Sequence, residues 1–230
     1  MLAYRKEIDG LRAIAVMAVF FHHLGLQLFS GGYVGVDVFF VISGYVIFRS
    51  ILNELNENTF SVRLFYERRI RRTLPPLILV ILLCLVAGLW ILTPKEYIEM
   101  SKSAIAALFS VSNFYFNDNA GNYFSAAANT IPLLHTWSLG VEEQFYLLVP
   151  LLFLKPKKVG VLSRVRNTLL IVIALTFSYN LYEIYYRGGL HDAFYLPIAR
   201  FWEISIGGLL ALTESHWNSK SFPLKSYLVD

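Results

Sequence analysis

Arg12 and His23 stand eleven residues apart in the apolar stretch Leu11–Phe29. Eleven residues is close to three helical turns, so both side chains lie on one helix face, about 16 Å apart along the axis. An imidazole is the side chain best suited to moving protons near neutral pH, and a guanidinium orients or neutralises an anion. Two plainer readings stand beside this one. Arg12 snorkels to lipid headgroups, and His23 is a hydrogen-bonded packing residue. His22, about 100° further round, reads as structural. A second group is the run RRIRR, with Arg68, Arg69, Arg71 and Arg72. It holds two overlapping R-x-x-R pairs, Arg68/Arg71 and Arg69/Arg72. Arginines three apart share a helix face and grip phosphate bidentately. The cluster also suits a topogenic, headgroup-binding patch.

A third group lies in HTWSLGVEEQFY, residues 135–146, where His135 and Glu142 are seven apart and share a face. Glu142 and Glu143 cannot both face lipid cheaply, so at least one points into the bundle or to water. Glu143 also reads as the partner of an intramembrane arginine. Asp37 follows the turn-forming Gly31, Gly32 and Gly35 and falls within reach of the histidine end of the first helix. Arg200 and Glu203, three apart, read as a self-compensating pair. Gly207 and Gly208 beside them, like Ser43 and Gly44, permit close helix packing.

The elements that position these groups are membrane helices. The 230-residue chain is 56% hydrophobic and 16% charged, with a mean hydropathy of +0.53. A soluble domain carries about 25% charged residues and could not hide so much apolar surface. About 20 apolar residues cross a bilayer as a helix. Leu74–Leu92 is a charge-free run with Pro75 and Pro76 expected in its first turn, where proline is tolerated. Asn167–Tyr182 is another. Leu11–Phe29, Val36–Leu52, Pro132–Leu154 and Tyr195–Thr213 are spans carrying the ionisable groups above. The N-terminal run lacks a good cleavage site and reads as a retained helix. The basic segments Arg63–Arg72 and Lys155–Arg166 belong on the cytoplasmic side, which requires an even number of crossings between them. Lys95–Phe116 is therefore expected to be an interfacial or re-entrant helix. The fold class that follows is all-α: a polytopic transmembrane bundle of about six spans plus one interfacial or re-entrant helix, N-terminus cytoplasmic. The formal charge of +4 arises from basic clusters between apolar runs, a topology pattern rather than a nucleic-acid one. The single cysteine, Cys84, sits in an apolar run and excludes an internal disulfide. No zinc spacing, Walker loop or G-x-S-x-G elbow is present, and no metal is expected.

The ordered segments EIDGLRAIAV with HH, GGYVGVDVFFVISGYVI, FYERRIRRTLPPL, SNFYF, the 132–153 segment and RFWEISIGGLLAL resemble the N-terminal part of the acyltransferase family 3 membrane domain. These are O-acyltransferases of bacterial surface polysaccharides, lipopolysaccharide and peptidoglycan. The family's R-x10-H motif falls on Arg12 and His23, and its R-x-x-R motif on Arg69 and Arg72, with Arg68 and Arg71 as the register alternative. The resemblance implies acyl-CoA, usually acetyl-CoA, as a cytoplasmic donor substrate, no permanently bound cofactor, and a glycan hydroxyl at the outer face as acceptor. It implies a bacterial inner-membrane location among lipid partners. RFWEI resembles members that also carry an extracytoplasmic SGNH-type domain. The family domain has about ten spans, so residues 1–230 are expected to form one integral-membrane domain truncated on its C-terminal side. The expected site has Arg68, Arg69, Arg71 and Arg72 on the CoA phosphates. His23 is base or acyl relay, with Arg12 beside it and Asp37, Glu142 or Glu143 in support. The competing readings are a glycan or acyl-carrier transporter or flippase, and an inactive membrane fragment.

Overall fold

The structure is a computed structural model that describes residues 5–119, 130–154 and 160–219. Among these every regular element is helical. Helix α1, Lys6–His23, is closed by a left-handed Gly25 (φ +73°). The Gly25 N–H bonds the His22 carbonyl and the Leu26 N–H bonds the Phe21 carbonyl, a pairing that satisfies the last carbonyls of a helix. The expected span Leu11–Phe29 is therefore cut short: His23 is the last helical residue, and Gln27–Phe29 form a separate 3-10 turn. Helix α2 covers Gly35–Asn56 and α3 covers Val62–Ile91.

Helix α3 corrects the sequence reading at its start. The RRIRR run does not precede the span but lies inside the same 30-residue helix, and Pro75 and Pro76 sit mid-helix rather than in the first turn. A helix of that length is about 45 Å long, so its basic first third extends beyond an apolar core of about 30 Å. Each proline leaves the carbonyl four residues earlier unbonded. Those carbonyls belong to Arg71 and Arg72, at the basic end where water is available.

Lys95–Phe116 is not one helix. Thr93 and Glu96 cap α4, Pro94–Leu108, by a reciprocal capping box. Ser110, in a left-handed conformation (φ +57°), breaks the chain before α5, Ser112–Asn119. Neither piece has the length to cross a bilayer. Helix α6, Thr136–Leu148, continues as a 3-10 segment, Val149–Phe153. Helix α7, Val161–Tyr182, runs into a π-helical turn, Glu183–Arg187. Helix α8, Leu190–Tyr195, leads into α9, Pro197–Ser219. The Lys155–Lys158 part of the second basic segment lies outside the described residues.

Among the described residues, four helical segments are long and apolar enough to cross a membrane: Gly32–Asn56, Val62–Ile91, Val161–Arg187 and Leu190–Glu214. The expected first and fifth spans are not among them. Helix α1 carries Lys6, Glu7, Asp9 and Arg12, and the 13 residues of α6 reach only about 20 Å. Length and composition thus identify four candidate crossings among the described residues, and the expected count of about six is not confirmed.

Helix α9 lies between α2 and α7. A Cβ on Gly44 would stand 1.9 Å from the Ile204 carbonyl oxygen, and one on Gly207 would stand 1.9 Å from that of Val41. The α2–α9 backbones therefore touch where neither helix carries a side chain, as the glycine pattern anticipates. Gly32 and Gly35 do the same against Ala18 and Ala15 of α1, bringing α1 onto α2. Phe40, Ile47, Phe48, Trp137, Phe153, Leu169 and Ile204 fill the core between these helices. Replacing Gly207 by Ala forces α9 from α2 and is expected to cost about 1–3 kcal/mol, read as a lowered Tm in detergent. Gly31→Ala, where a Cβ meets nothing within 4 Å, is expected to leave Tm unchanged.

Candidate active site

Two cavities adjoin along the face of α1 that carries Arg12 and His23. One, of about 290 Å³, is lined by Arg12, Phe39, Ser43, Arg69, Arg72, Thr73, Glu142 and Tyr146. The other, of about 440 Å³, is lined by His23, His135, Ser138 and Glu142 among apolar residues of α1, α2 and α6, with Phe39 again in its wall. Phe39 and Glu142 line both. The sequence therefore contributes one basic chamber and one imidazole chamber, separated by an aromatic ring and a carboxylate.

The basic chamber separates the four clustered arginines. Arg69 and Arg72 face it. The Arg69 guanidinium stacks over the Tyr146 ring, 5.0 Å from its centroid, a geometry that holds a planar cation at low cost. Arg68 instead pairs with Glu54 of α2 at 2.6 Å, and Arg71 with Glu67 of its own helix at 2.8 Å on an exposed face. Arg69 is half-buried, whereas Arg72 lines the same chamber from an exposed position on α3. Arg12 joins Arg69 and Arg72 from α1, with only a long contact to Asp9 at 3.9 Å. Three guanidinium groups from two helices thus line one small chamber, an arrangement suited to polyphosphate.

Glu142 spans the boundary. Ser43 Oγ donates to its Oε1 at 2.7 Å, and the Tyr146 hydroxyl donates to its Oε2 at 3.3 Å. Glu143 lies against Thr73 and Arg69, and its Oε1 is buried without a hydrogen-bond partner. In the second chamber the His23 and His135 rings stand edge to face, centroids 4.5 Å apart. His22 turns away to the Phe29 carbonyl, 3.1 Å from Nδ1. His135 follows from its seven-residue spacing to Glu142, but no pattern in the sequence links it to His23.

Asp37 is placed differently from the expectation. It faces Arg200, whose Nη1 bonds Asp37 Oδ1 at 3.0 Å and Glu203 Oε1 at 2.7 Å, while Nε bonds the Phe194 carbonyl at 3.1 Å. The guanidinium also lies over the Phe194 and Trp137 rings. The Arg200/Glu203 pair read from sequence is thus a three-member cluster joining α2, α8 and α9, with Glu203 only 1% exposed. Asp37 lines neither chamber. Among the described residues no group of three or more His, Cys, Asp or Glu could hold a metal ion.

The chain belongs to the acyltransferase 3 family, whose acyltransferase domain matches residues 5–229. It is similar to the O-acetyltransferase OatA of Staphylococcus aureus strain NCTC 8325 / PS 47, 43% identical over 149 residues, which are 64% of this chain and 24% of that protein. OatA of strain COL gives the same figures. The chain thus spans about a quarter of the length of the curated relatives it matches. No solved structure matches it.

Arg200→Ala strands two carboxylates and is expected to cost about 3–5 kcal/mol, measured by thermal unfolding in detergent. Arg200→Lys is expected to recover less than half of that loss. A single ammonium cannot reproduce the fork that serves Asp37, Glu203 and the Phe194 carbonyl together.

Proposed function

We propose that this chain carries the transmembrane part of an O-acyltransferase that moves an acetyl group from acyl-CoA on the basic side to a glycan hydroxyl on the other. The observation that carries the reading is the pair of adjoining chambers sharing Phe39 and Glu142. It is supported by membership of the acyltransferase 3 family and by similarity to proteins named O-acetyltransferase. Arg12, Arg69 and Arg72 hold the CoA phosphates through charge-assisted hydrogen bonds. The pantetheine arm passes Phe39, and the thioester reaches the imidazole chamber. There the acceptor oxygen attacks the thioester carbon and its proton passes into the imidazole chamber, where His23 carries it. The C–S bond breaks, the electron pair leaves on sulfur, and the proton is returned to the thiolate. Glu142, anchored by Ser43 and Tyr146, orients polar groups at the neck.

In this reading the chain crosses a bacterial inner membrane six times, with α1 and α6 as short, polar-faced crossings. The N-terminus and the α3 arginines lie in the cytoplasm. Distal segments of a longer protein, with or without an SGNH-type domain, complete the enzyme.

His23→Ala in the full-length protein is expected to abolish transfer of radiolabelled acetyl from acetyl-CoA to glycan while membrane insertion stays normal. Arg69→Ala is expected to weaken acyl-CoA binding at least tenfold, by loss of a charge-assisted phosphate contact of about 1.5–3 kcal/mol. Arg71→Ala, on the exposed side of α3, is expected to stay within twofold. Equal effects of the two arginines would return the cluster to a headgroup patch. Glycan translocation without acetyl label would favour a flippase.

A further inference from the structure

His135 is held more firmly than its place in a loop between helices requires. Leu133, two residues before it, adopts a left-handed conformation (φ +63°), a strained state for a branched side chain that persists only where the surroundings impose it. The surroundings do so here. Leu133 and Leu134 are buried. The Thr136 N–H and hydroxyl both bond the Leu133 carbonyl, at 2.9 and 2.7 Å. Ser112 Oγ of α5 donates to the Thr136 carbonyl at 2.8 Å. About two turns further along α6, Gln144 donates to the Ser110 carbonyl and to Asn113 Oδ1.

What this anchored turn presents to the chamber is one imidazole, facing a second that the glycine-terminated end of α1 presents from the opposite wall. Two helix ends, each fixed by its own backbone device, meet at a ring separation of 4.5 Å. His135 is exposed and His23 half-buried, so His135 is the more open of the two to an arriving acceptor. Rings in such contact are close enough for a proton to pass between them, directly or through one water, once a nitrogen of each faces the other.

We infer that His135 is a second catalytic imidazole, paired with His23, that takes the proton from the acceptor hydroxyl. The inference rests on the acyl-transfer reading above. It assigns the two imidazoles separate positions along one proton path. The acceptor O–H gives its proton to His135 as the oxygen bonds to the thioester carbon. The C–S bond breaks with its electron pair on sulfur. His135 passes a proton to His23, which protonates the thiolate, so both rings end neutral and no further reactant is consumed.

The test uses the full-length enzyme in membrane vesicles, with radiolabelled acetyl-CoA and a glycan acceptor. His135→Ala is expected to lose label transfer at least about 100-fold, the usual scale for a general base, while acyl-CoA binding is unchanged. Added free imidazole is expected to restore at least tenfold of that loss. His135→Gln, which preserves bulk and one N–H, is expected to insert normally and to be as inactive as the alanine variant. Transfer within threefold of wild type in either variant overturns the inference. So does activity recovered by Gln without any rescue by imidazole, which would make His135 a spacer that orients its neighbours. Wild-type enzyme that moves no acetyl label from acetyl-CoA would instead overturn the acyl-transfer reading itself.

Discussion

A charge in hydrocarbon is tolerated only when it meets an opposite charge, a hydrogen-bond partner or water, and this constraint arranges the interior of the bundle. Arg200 shows its structural use. Asp37 from α2, Glu203 from its own helix and the Phe194 carbonyl from α8 converge on one guanidinium, and the aromatic faces of Phe194 and Trp137 enclose it. Replacing the cluster by apolar side chains could pack as well, so its contribution is register rather than net stability. It fixes how α2 and α9 are rotated. That rotation decides which residues of α2 look toward α1.

The close approach of backbones does the rest. Gly44 and Gly207 let α2 and α9 touch, and Gly32 and Gly35 let α1 lie on α2. Lipid tails are as apolar as leucine, so helices in a bilayer gain from close van der Waals contact rather than from hiding from water. With α1 seated this way, the face bearing Arg12 and His23 is turned toward α2 and α6 instead of lipid. Arg12 then shares a chamber with Arg69 and Arg72 of α3, and His23 meets His135. The chambers are consequences of helix placement, not of a dedicated loop.

Helix ends carry the remaining precision. Gly25 stops α1 immediately after His23, and the left-handed Leu133 launches α6 immediately after His135. A side chain at a helix terminus is aimed by the cap as well as by the helix axis, and caps hold geometry in few residues. Glu142, one helical stretch further on, is tied to Ser43 and Tyr146 and stands where the two chambers meet. An imidazole end and a guanidinium end are thus joined through a neck whose polar group is held by its neighbours.

Periodicity within a helix was enough to read much of this. The apolar runs identified a membrane bundle, the eleven-residue spacing put Arg12 and His23 on one face, and the small residues marked helix contacts. These are properties of one helix at a time, set by 3.6 residues per turn and by side-chain size. Single-helix reasoning could not choose between Arg68/Arg71 and Arg69/Arg72, because both registers are equally helical and only α6 and α1 define which side is inside. It left Asp37 open beside Glu142 and Glu143 as a support for His23, since the reach of a carboxylate is visible in sequence but its pairing with Arg200, 163 residues away, is not. It placed α3's prolines at a helix start because the amphipathic basic segment hid the earlier beginning. His135 was visible as a residue and invisible as a partner of His23. Their encounter depends on two chain ends brought together by packing, and contacts of that kind are decided only by the tertiary fold.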